Sequence, residues 1–537
     1  MKTKVNQLRA GVALSYATMA VQGLVSVGYT PVMLRLLGKS EYGVYSLASS
    51  VVSYLGLLSF GFDGAYMRFY ARYRAKNEEE SIARLNGMFL TLFSVISLAA
   101  LAAGSVLAEN AEALFSGGLT EPEIRTAKSL VRILIFNVAV SFPACVFDSI
   151  SAASEQYAFQ RTVGLLKAVF NPFLTLPLLL MGYRSVCLAA VTTFLTCAGL
   201  VMNAWFCLKK LKTRFRFGRF DFMLLREIWF FSSYLFLNSI TEQANWSADK
   251  FILGKMKGSA DVAVYSIGSQ FNTLYISFST AISSVFIPRV NRIVAEDGDS
   301  RTLTELFARV GRVQFLVLSF LLTGFVFFGE YFIGVWAGAE YASSSLTAYR
   351  IALLLMVPMT VPLIQNLGIE IQVAKNRHRF RSVVYALIAV ANVAVSVLLC
   401  PAFGGVGCAA GTSLALILGS GFLMNWYYRA RIGLDVGFFW KRILAFFPAF
   451  LLPCSFGVFL RLFFPVVSMA RFLVCGLVYT VLFAFSMWRF GMTPFEKNIV
   501  LRPLRRLSTK FRPARKKHPA EVPPPDRGKK DEVKGNA

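Results

Sequence analysis

The sequence predicts an all-α integral membrane protein with about 14 transmembrane helices, in two pseudo-symmetric six-helix lobes (helices 1–6 and 7–12) followed by two C-terminal helices. Three observations lead to this fold class. The 537 residues are 56% hydrophobic with a mean hydropathy of +0.56, which is too apolar for soluble domains. The apolar runs are each about 20 residues long, the length that crosses a bilayer as a helix. One short polar passage also occurs twice.

The apolar runs define the predicted spans in chain order. They lie near residues 10–34, 43–66, 84–108, 128–151, 159–182, 185–208, 224–246, 262–287, 306–329, 347–371, 380–401, 405–427, 438–461 and 470–490. The first run is too long for a cleavable signal peptide and lacks a convincing small-residue cleavage site. No loop between spans is longer than about 20 residues, whereas a small catalytic domain needs roughly 50. We therefore expect that the protein is not an enzyme.

Positive charge alternates between the predicted loops. The N-terminus, the loops after the even-numbered spans and the tail carry 44 of the 56 Lys and Arg residues, whereas the opposite side carries 11. Cytoplasmic loops are enriched in Lys and Arg, so both termini are predicted to be cytoplasmic. The net charge of +27 is thereby assigned to membrane orientation and not to nucleic-acid binding.

The passage that occurs twice follows spans 1 and 7. Gly-Lys-Ser-Glu-Tyr-Gly-Val-Tyr-Ser begins at Gly38, and Gly-Ser-Ala-Asp-Val-Ala-Val-Tyr-Ser begins at Gly258. Arg35, before the first copy, is matched by Lys255 before the second. Because six spans separate the copies, both have the same orientation, as in a parallel repeat with a pseudo-two-fold axis along the membrane normal. A doubled membrane lobe is typical of a carrier.

We expect four segments along the chain. They are the first lobe (1–215), the second lobe (216–432), helices 13 and 14 (433–495) and a basic tail (496–537). The tail combines many Lys and Arg residues with a run of three prolines, Pro523 to Pro525, so it is predicted to be disordered and to lie against anionic lipid. A protein-binding role is the alternative.

Metal, redox and nucleotide chemistry are not indicated. The eight cysteines form no C-x-x-C pair, and the only histidines, His378 and His518, lie in cation-rich stretches, so no metal site, disulfide framework or cofactor is expected. Gly38-Lys39-Ser40 resembles the end of a P-loop, but Met33 stands where the first glycine would be.

Polar residues within the apolar spans are the first candidates for function, because such residues are costly to bury in a bilayer. In the first lobe they are Asp63 and Arg68 in span 2, Arg132 and Asp148 in span 4, and Lys167 and Asn171 in span 5. Arg68 and Lys167 could instead extend to the cytoplasmic headgroups. Arg132 and Asp148 lie near the ends of span 4, so an interfacial position is an alternative for both.

The second lobe contains two polar stripes. Glu242, Asn245 and Asp249 are spaced by three and four in the outer half of span 7, so they share one helical face and predict a water-filled interior; a helix end that surfaces early is the alternative. The second stripe consists of Gln365, Asn366, Glu370 and Gln372, after Pro358 and Pro362 in span 10. Paired prolines permit a bend beside a cavity, although a kink used only for packing would have the same sequence.

Several stretches together resemble a known family. They are Tyr29–Ser46, Phe60–Arg68 and Asn245–Gly254, with the pairs Val264-Tyr265 and Pro288-Arg289. They resemble the polysaccharide-transport branch of the multidrug/oligosaccharidyl-lipid/polysaccharide exporter superfamily, which includes Wzx-type O-antigen flippases. The resemblance covers residues 1 to about 490 and is specific for the family but not for the substrate. It implies a MATE-like arrangement of the helices.

The resemblance also implies a function. Members of this family flip undecaprenyl-diphosphate-linked oligosaccharides, the repeat units of O-antigen, capsule or exopolysaccharide, by alternating access of two lobes driven by an ion gradient. The expected location is the inner membrane of a bacterium, and the expected partners are the lipid-linked oligosaccharide, membrane lipids, a polysaccharide polymerase and chain-length proteins. The alternative within the superfamily is a multidrug/cation antiporter, which would have acidic and aromatic groups in its cavity.

Matching the family pattern assigns roles to individual residues. The implied substrate-binding cations are Arg35, Arg68, Lys250, Lys255 and Arg289, and burial alone adds Arg132 and Lys167. Asp249 is the expected coupling or gating carboxylate, with Glu242 and Asp63 as further candidates. Five predicted external cations, Arg35, Lys39, Lys250, Lys255 and Lys257, lie in or beside the repeated passage. They predict equivalent basic elements at the outer mouth of each lobe, with interfacial snorkelling as the simpler alternative.

Overall fold

The computed structural model describes residues 14–15, 17–115, 117–218, 222–296, 299–375, 377, 379–498 and 501. Within these residues the regular elements are all helices. A chain that crosses a bilayer as helices satisfies its backbone polar groups internally, which explains the absence of strands from the described part. The prediction of an all-α membrane protein is confirmed.

In the described part of the first lobe, seven α-helices with defined bounds follow the helical residues 17–24. They are α1 (Thr30–Ser53), α2 (Phe62–Ala75), α3 (Glu79–Glu109), α4 (Ala111–Phe115), α5 (Glu121–Ala153), α6 (Tyr157–Leu180) and α7 (Arg184–Trp205). The start of α5 is fixed by a capping box in which Thr120 and Glu123 satisfy each other's backbone N–H groups, because the first N–H groups of a helix have no partner within it.

The second lobe and the C-terminal helices follow after the link at residues 211–218. They are α8 (Phe222–Met256), α9 (Ser259–Ser284), α10 (Ile287–Ala295), α11 (Ser300–Ala337), α12 (Ala339–Ala342), α13 (Ser345–Ile364), α14 (Asn366–Ala374), α15 (Arg379–Leu416), α16 (Met424–Tyr427), α17 (Val436–Leu444), α18 (Phe447–Phe463) and α19 (Met469–Ser486). The link lies against the first lobe, where the Arg216 N–H donates to the Ala83 carbonyl at 2.9 Å.

Nine helical stretches of the described residues are long and apolar enough to cross a membrane, or ten if the bent pair α17 and α18 is one span. Two of the nine, Ala17–Ala75 and Phe380–Ile432, are interrupted by non-helical angles at Gly38 and Gly404. The helices α8 and α9, predicted to be spans 7 and 8, do not meet the same criterion because polar residues interrupt them. The count of 14 spans stays a prediction.

Clusters of buried apolar residues pack both within the lobes and between them. The largest buried cluster takes residues from α1 and α5 of the first lobe and from α8, α9 and α13 of the second. A second cluster, around Tyr66 and Phe89, lies mainly in the first lobe but includes Ile228 near the start of α8. A third, around Phe307 and Phe439, lies within the second lobe. The lobes therefore share apolar contacts in the largest cluster and again at the start of α8.

A buried ion pair fastens the C-terminal helices to the second lobe. The Nε atom of Arg312, in α11, lies 2.6 Å from Oε1 of Glu496, and the two side chains are 6% and 3% exposed. The guanidinium also donates to the carbonyls of Gly491 and Arg442 and lies 4.1 Å from the ring centre of Phe446. Its donors are therefore used by Arg442 of α17 and by residues that follow α19.

The predicted start of the disordered tail, residue 496, is too early in the chain. Glu496 is buried in this ion pair, and residues 494–498 are helical. The sequence suggested a boundary there because charged residues follow the last apolar run, but the carboxylate has an internal partner more than 180 residues away in the chain. Residues 502–537, which hold the rest of the predicted tail, lie outside the described residues.

Candidate site between the two lobes

The two copies of the repeated passage lie against each other. The helix α1, which carries the first copy, packs on α9, which begins with the second. Ser46 and Ser266 occupy equivalent positions in the two copies; both are buried, and their hydroxyl oxygens are 2.6 Å apart. A contact between equivalent residues indicates a pseudo-two-fold axis between α1 and α9. We call the end of the molecule that holds both copies the repeat face.

Both copies begin with a glycine in the same backbone conformation. Gly38 has φ 77° and ψ 173°, and Gly258 has φ 95° and ψ −178°. Residues that have a Cβ atom rarely adopt these backbone φ values, whereas glycine adopts them at little cost. The recurrence of glycine in the sequence therefore corresponds to a recurrence of backbone shape.

A cavity of about 390 Å³ adjoins this contact. Ser266 takes part in both, because it contacts Ser46 and also lines the cavity. The polar groups around the space come from both lobes and include Tyr42, Tyr45 and Asn171 of the first and Lys250 and Gln270 of the second. The arrangement offers one ammonium group, amides and phenol hydroxyls to a ligand between the lobes.

A second cavity of about 400 Å³ lies in the second lobe. Thr273 lines both cavities, so they are neighbours. The second cavity contains Glu242 and Asn245 of the predicted polar stripe, together with Arg381. The Arg381 guanidinium lies 4.8 Å from the ring centre of Tyr385, and its Nε atom is buried without a hydrogen-bond partner among the described residues.

Arg381 is a cavity cation that the sequence interpretation missed. It stands at the very start of predicted span 11, where the sequence does not distinguish it from the charges of the preceding predicted cytoplasmic loop. One sequence signal pointed to it: a cation within an apolar run, between Phe380 and Tyr385, is expensive to place in lipid. The position of Arg381 follows from the packing of α15 beside α13, which the sequence alone does not specify.

Asp249 is fully buried and does not line either cavity. Its carboxylate accepts hydrogen bonds from three hydroxyls, at 2.6 Å from Tyr265, 2.8 Å from Ser396 and 2.7 Å from Thr412. The amide oxygen of Asn392 lies 3.1 and 3.0 Å from the hydroxyl oxygens of Ser396 and Thr412. Carboxylate, amide and hydroxyl oxygens thus converge between α8, α9 and α15, and none of these groups carries positive charge.

Lys250 differs from its predicted position. The sequence placed it outside the membrane after a span ending near residue 246, but α8 continues to Met256. Lys250 is therefore more than a helical turn inside α8 and lines the first cavity. Asp249 and Lys250 are adjacent in sequence, yet one points into the second lobe and the other towards the first.

Arg35 and Lys255 lie on the repeat face, as the internal repeat predicts, but in different contacts. The Arg35 guanidinium donates to the Val335 carbonyl of the second lobe at 2.9 Å. Lys255 is exposed near the end of α8, beside Gly117 and Gly118 of the first lobe. Each cation thus belongs to the closed contact between the lobes.

Arg68 and Arg289 occupy corresponding places in the two lobes. Arg68 is exposed on α2, the helix after α1, and Arg289 is exposed on α10, the helix after α9. The structure does not bring them together with Lys250. The side chain of Asp63 lies outside the described part of the structure, so its predicted role stays a prediction.

Lys167 packs against α7 within its own lobe. Its side chain lies directly on Gly199, where a larger residue would collide with it. The ammonium is near enough to attract the carboxylate of Asp148, which also accepts a hydrogen bond from Asn203. Lys167 therefore has an acidic neighbour in the first lobe and is a weaker candidate for a substrate than Lys250.

Arg132 is engaged elsewhere. Its guanidinium lies 2.8 Å from the carboxylate of Glu109 at the end of α3, and 58% of its side chain is exposed. Lys128 lies 3.2 Å from the same carboxylate. The sequence could not show this partner, because Glu109 belongs to another helix. We do not assign Arg132 to the substrate cavity.

Comparison with known sequences identifies the family. The model of a family described as "Polysaccharide biosynthesis protein" matches residues 32–346, more than half of the chain. A protein of Shigella flexneri named "Putative O-antigen transporter" is 22% identical over 423 residues, which are 76% of this chain and 94% of that protein.

Comparison with solved structures identifies the fold. A structure described as "Lipid II flippase MurJ, inward closed conformation" has a TM-score of 0.69 at 14% identity and covers 92% of this chain and 99% of its own. An inward-facing multidrug resistance transporter of the MATE family has a TM-score of 0.60 at 13% identity, with coverages of 79% and 98%. The predicted MATE-like, multi-pass membrane fold is confirmed. The chain belongs to the polysaccharide biosynthesis protein family.

Proposed function

We propose that this protein is a membrane flippase that moves an undecaprenyl-diphosphate-linked oligosaccharide across the cytoplasmic membrane by alternating access. The observation that carries the proposal is the cavity between the lobes, which contains Lys250 and adjoins the closed contact between Ser46 and Ser266. A space closed at one end by a symmetric contact is suited to expose its ligand to one side at a time. The relatives named as an O-antigen transporter and a lipid II flippase support the same class of cargo.

The cavity chemistry suits a sugar diphosphate. A diphosphate is a compact anion, and an ammonium group in a site of low dielectric constant attracts it far more strongly than in water. The ammonium group of Lys250 can also follow a moving ligand, because it is a point charge at the end of a long, flexible side chain. Tyr42, Tyr45 and Gln270 offer hydroxyl and amide groups for sugar hydroxyls, so the same space can receive both parts of the headgroup.

Ion coupling is the second part of the proposal. A carboxylate in the membrane interior is costly without a compensating positive charge, and no cationic side chain contacts Asp249 among the described residues. The converging oxygens of Asp249, Asn392, Ser396 and Thr412 are of the type that binds Na⁺ in carriers, and Asp249 could alternatively take up a proton. We propose that Asp249 binds the coupling ion.

We also propose the lobe boundaries, the orientation and the partners of this flippase. The lobes are residues 1–215 and 216–432, and both termini face the cytoplasm of a bacterium. Polymerase and chain-length proteins act on the translocated product. Arg35, Arg68, Lys255 and Arg289 are proposed to guide the anionic headgroup at the two mouths of the pathway, because they are exposed or at the lobe contact. Glu242 and Asp63 are proposed as gating carboxylates.

A multidrug/cation antiporter is the second candidate, and Glu242 in the second cavity is the observation that favours it. A carboxylate attracts a cationic drug, but Arg381 lines the same cavity and opposes such a ligand by charge repulsion. The sign of the transported molecule therefore distinguishes the two functions. Transport of a lipid-linked diphosphate sugar without transport of cationic dyes would exclude the antiporter.

The test is a flipping assay on vesicles that contain the purified protein and a fluorescent undecaprenyl-diphosphate sugar. We expect K250M to lower the flipping rate at least tenfold while the protein still inserts, because the variant removes the cavity's ammonium group. The matched control is K257M, since Lys257 is exposed beyond the end of α8. Unchanged flipping by K250M would remove Lys250 from the site, and no flipping by the unmodified protein would reject the function itself.

A further inference from the structure

Two glutamates on the repeat face each accept a hydrogen bond from the start of a helix in the other lobe. They are Glu340, which contacts Lys39, and Glu123, which contacts Ser259. We propose that Glu123 and Glu340 are the gating residues of this face and form a reciprocal latch between the lobes. Neither was among the residues predicted from the sequence to bind substrate or to gate. The inference rests on the proposed function only in that it assigns the latch to one step of alternating access.

Glu340 belongs to the second lobe and contacts the first. Its Oε1 atom accepts a hydrogen bond from the backbone N–H of Lys39 at 2.8 Å. The neighbouring Tyr341 hydroxyl donates to the Gly38 carbonyl at 3.2 Å, and the Lys39 ammonium donates to the Ser344 hydroxyl at 2.7 Å. The segment at the start of α12 and α13 therefore grips the first copy of the repeated passage.

Glu123 belongs to the first lobe and contacts the second. Its Oε1 atom accepts hydrogen bonds from the hydroxyls of Ser259, in the second lobe, and Ser40, in its own lobe. Its Oε2 atom is held by the backbone N–H and the hydroxyl of Thr120, at 2.8 and 2.9 Å. The capping box that starts α5 thus fixes the carboxylate in place for its partner across the lobe contact.

The two sets of contacts are related by the internal repeat. Lys39 directly follows Gly38, and Ser259 directly follows Gly258, so the gripped residues are equivalent. Gly118, two residues before Thr120 of the capping box, approaches the backbone of Gly258, and Gly338 approaches Arg35 in the corresponding place. Each lobe therefore supplies both a carboxylate and a gripped helix start.

Both glutamates lie at a helix start of the other lobe, where Glu340 accepts from the backbone N–H of Lys39 and Glu123 accepts from the hydroxyl of Ser259. Non-helical angles at Gly38 and Gly258 begin a new helix at Lys39 and Ser259. The first N–H groups of a helix have no internal acceptor, and the positive end of the helix dipole favours a carboxylate there. Separation of the lobes on the repeat face removes each carboxylate from its partner, so opening requires that both contacts break.

The isosteric variants E123Q and E340Q test the latch. Each keeps the shape of the side chain but removes the charge, so we expect more frequent opening. The measurement is the labelling rate of S266C by a membrane-impermeant maleimide in right-side-out vesicles, because Ser266 is buried at the closed contact. Each variant should raise the rate about tenfold, which corresponds to ~1.4 kcal/mol, and the double variant should approach the product of both effects.

The matched control is E121Q, since Glu121 is exposed on the same turn of α5 and has no ion pair in the described part of the chain. It should label at the parental rate. Equal labelling of E123Q, E340Q and the parent would overturn the latch. The same would follow if only one glutamate mattered, because the reciprocal arrangement requires both.

A cysteine pair gives a second measurement that does not depend on the glutamate variants. In S46C/S266C the two sulfur atoms should form a disulfide under oxidation, since the parent hydroxyls are 2.6 Å apart. The oxidised protein should lose transport and recover it on reduction, whereas the single variants should be insensitive. If E123Q and E340Q label faster than E121Q and the parent, but the parent does not flip the sugar lipid, the latch is kept and the proposed cargo is rejected. Full transport by the oxidised pair would reject the gate.

Discussion

Asp249 is fully buried, and it is the residue that we propose to bind the coupling ion. Its carboxylate has no exposed surface and is surrounded by the hydroxyls of Tyr265, Ser396 and Thr412. Three neutral donors stabilise a carboxylate but do not cancel its charge in a medium of low dielectric constant. A bound monovalent cation or proton completes the site in the proposed cycle.

The first prediction at this scale concerns D249N. The wild-type protein should unfold at a higher temperature when Na⁺ replaces K⁺ at constant ionic strength. At a Na⁺ concentration 100 times the dissociation constant, the free energy of unfolding should rise by about 2.7 kcal/mol. D249N should abolish this dependence, because the amide cannot supply the charge. If a proton is the coupling ion, the stabilisation follows pH and not Na⁺, and D249N should abolish that response instead.

D148N is the control, because Asp148 is a partly buried carboxylate of the first lobe with its own partner, Asn203. It should keep the ion response of the parent. A D249N protein with the parental response to both Na⁺ and pH would show that Asp249 has only a structural role.

The residue scale also shows what the sequence could and could not specify. The spacing of Glu242, Asn245 and Asp249 predicted one polar face towards a water-filled interior, but only Glu242 and Asn245 line a cavity, whereas Asp249 is enclosed by hydroxyls. The partners of Asp249 were not predictable, because Ser396 and Thr412 are ordinary hydroxyl residues within an apolar helix and lie about 150 residues further along the chain. Only the packing of α15 on α8 brings these groups together.

At the scale of elements, close approach of two helices defines the repeat face. Gly43 of α1 lies against the backbone carbonyl of Ser259 at the start of α9, and a Cβ atom at Gly43 would overlap that carbonyl. The overlap involves backbone and not a flexible side chain, so it is relieved only by moving the helices apart. Small residues permit such approaches between membrane helices.

G43A should therefore destabilise the closed contact by about 1–3 kcal/mol, the usual cost of overpacking. The expected result is a lower thermal midpoint together with faster S266C labelling. G56A is the control, since nothing lies within 4 Å of the corresponding Cβ position. Equal behaviour of the two variants would mean that α1 and α9 have room to adjust.

The buried pair between α11 and the segment after α19 gives the second prediction for the elements. E496Q leaves the Arg312 guanidinium buried without its counter-charge, which should cost about 3–5 kcal/mol. The measurement is the thermal midpoint in detergent. The control is E305Q, because Glu305 forms only exposed pairs with Arg309 and Arg301 on one helix, and such pairs contribute about 0.3–0.5 kcal/mol.

A companion variant distinguishes charge from packing. R312M/E496L replaces both charged groups with apolar ones, and it should be more stable than E496Q, because no unpaired charge remains. If E496Q were as stable as the parent, the ion pair would not fasten the C-terminal helices to the second lobe.

The elements themselves were largely predictable, for a physical reason. A bilayer requires long apolar helices, so most predicted spans coincide with observed helices. The prediction failed at helix ends, where polar residues are tolerated: α8 continues past residue 246 to Met256, and the fold continues past residue 495 to bury Glu496. Hydropathy indicates where lipid contacts a helix, not where the helix stops.

At the scale of the whole molecule, the two lobes share the largest buried cluster at the repeat face, and the start of α8 joins the cluster of the first lobe through Ile228. This arrangement suits a rocking motion in which each lobe moves largely as a unit around a cavity at the contact. The sequence predicted the doubling and the orientation of the repeat. It could not predict that the two copies touch, because an internal repeat specifies equivalence but not proximity.

The contact between Ser46 and Ser266 has the geometry of an isologous interface, in which equivalent residues of a homodimer meet on a two-fold axis. In a homodimer, one substitution at such a position changes both sides of the interface at once. In this single chain the two sides are separate residues, so Lys39 and Ser259 differ at equivalent positions while the serine pair is the same in both copies.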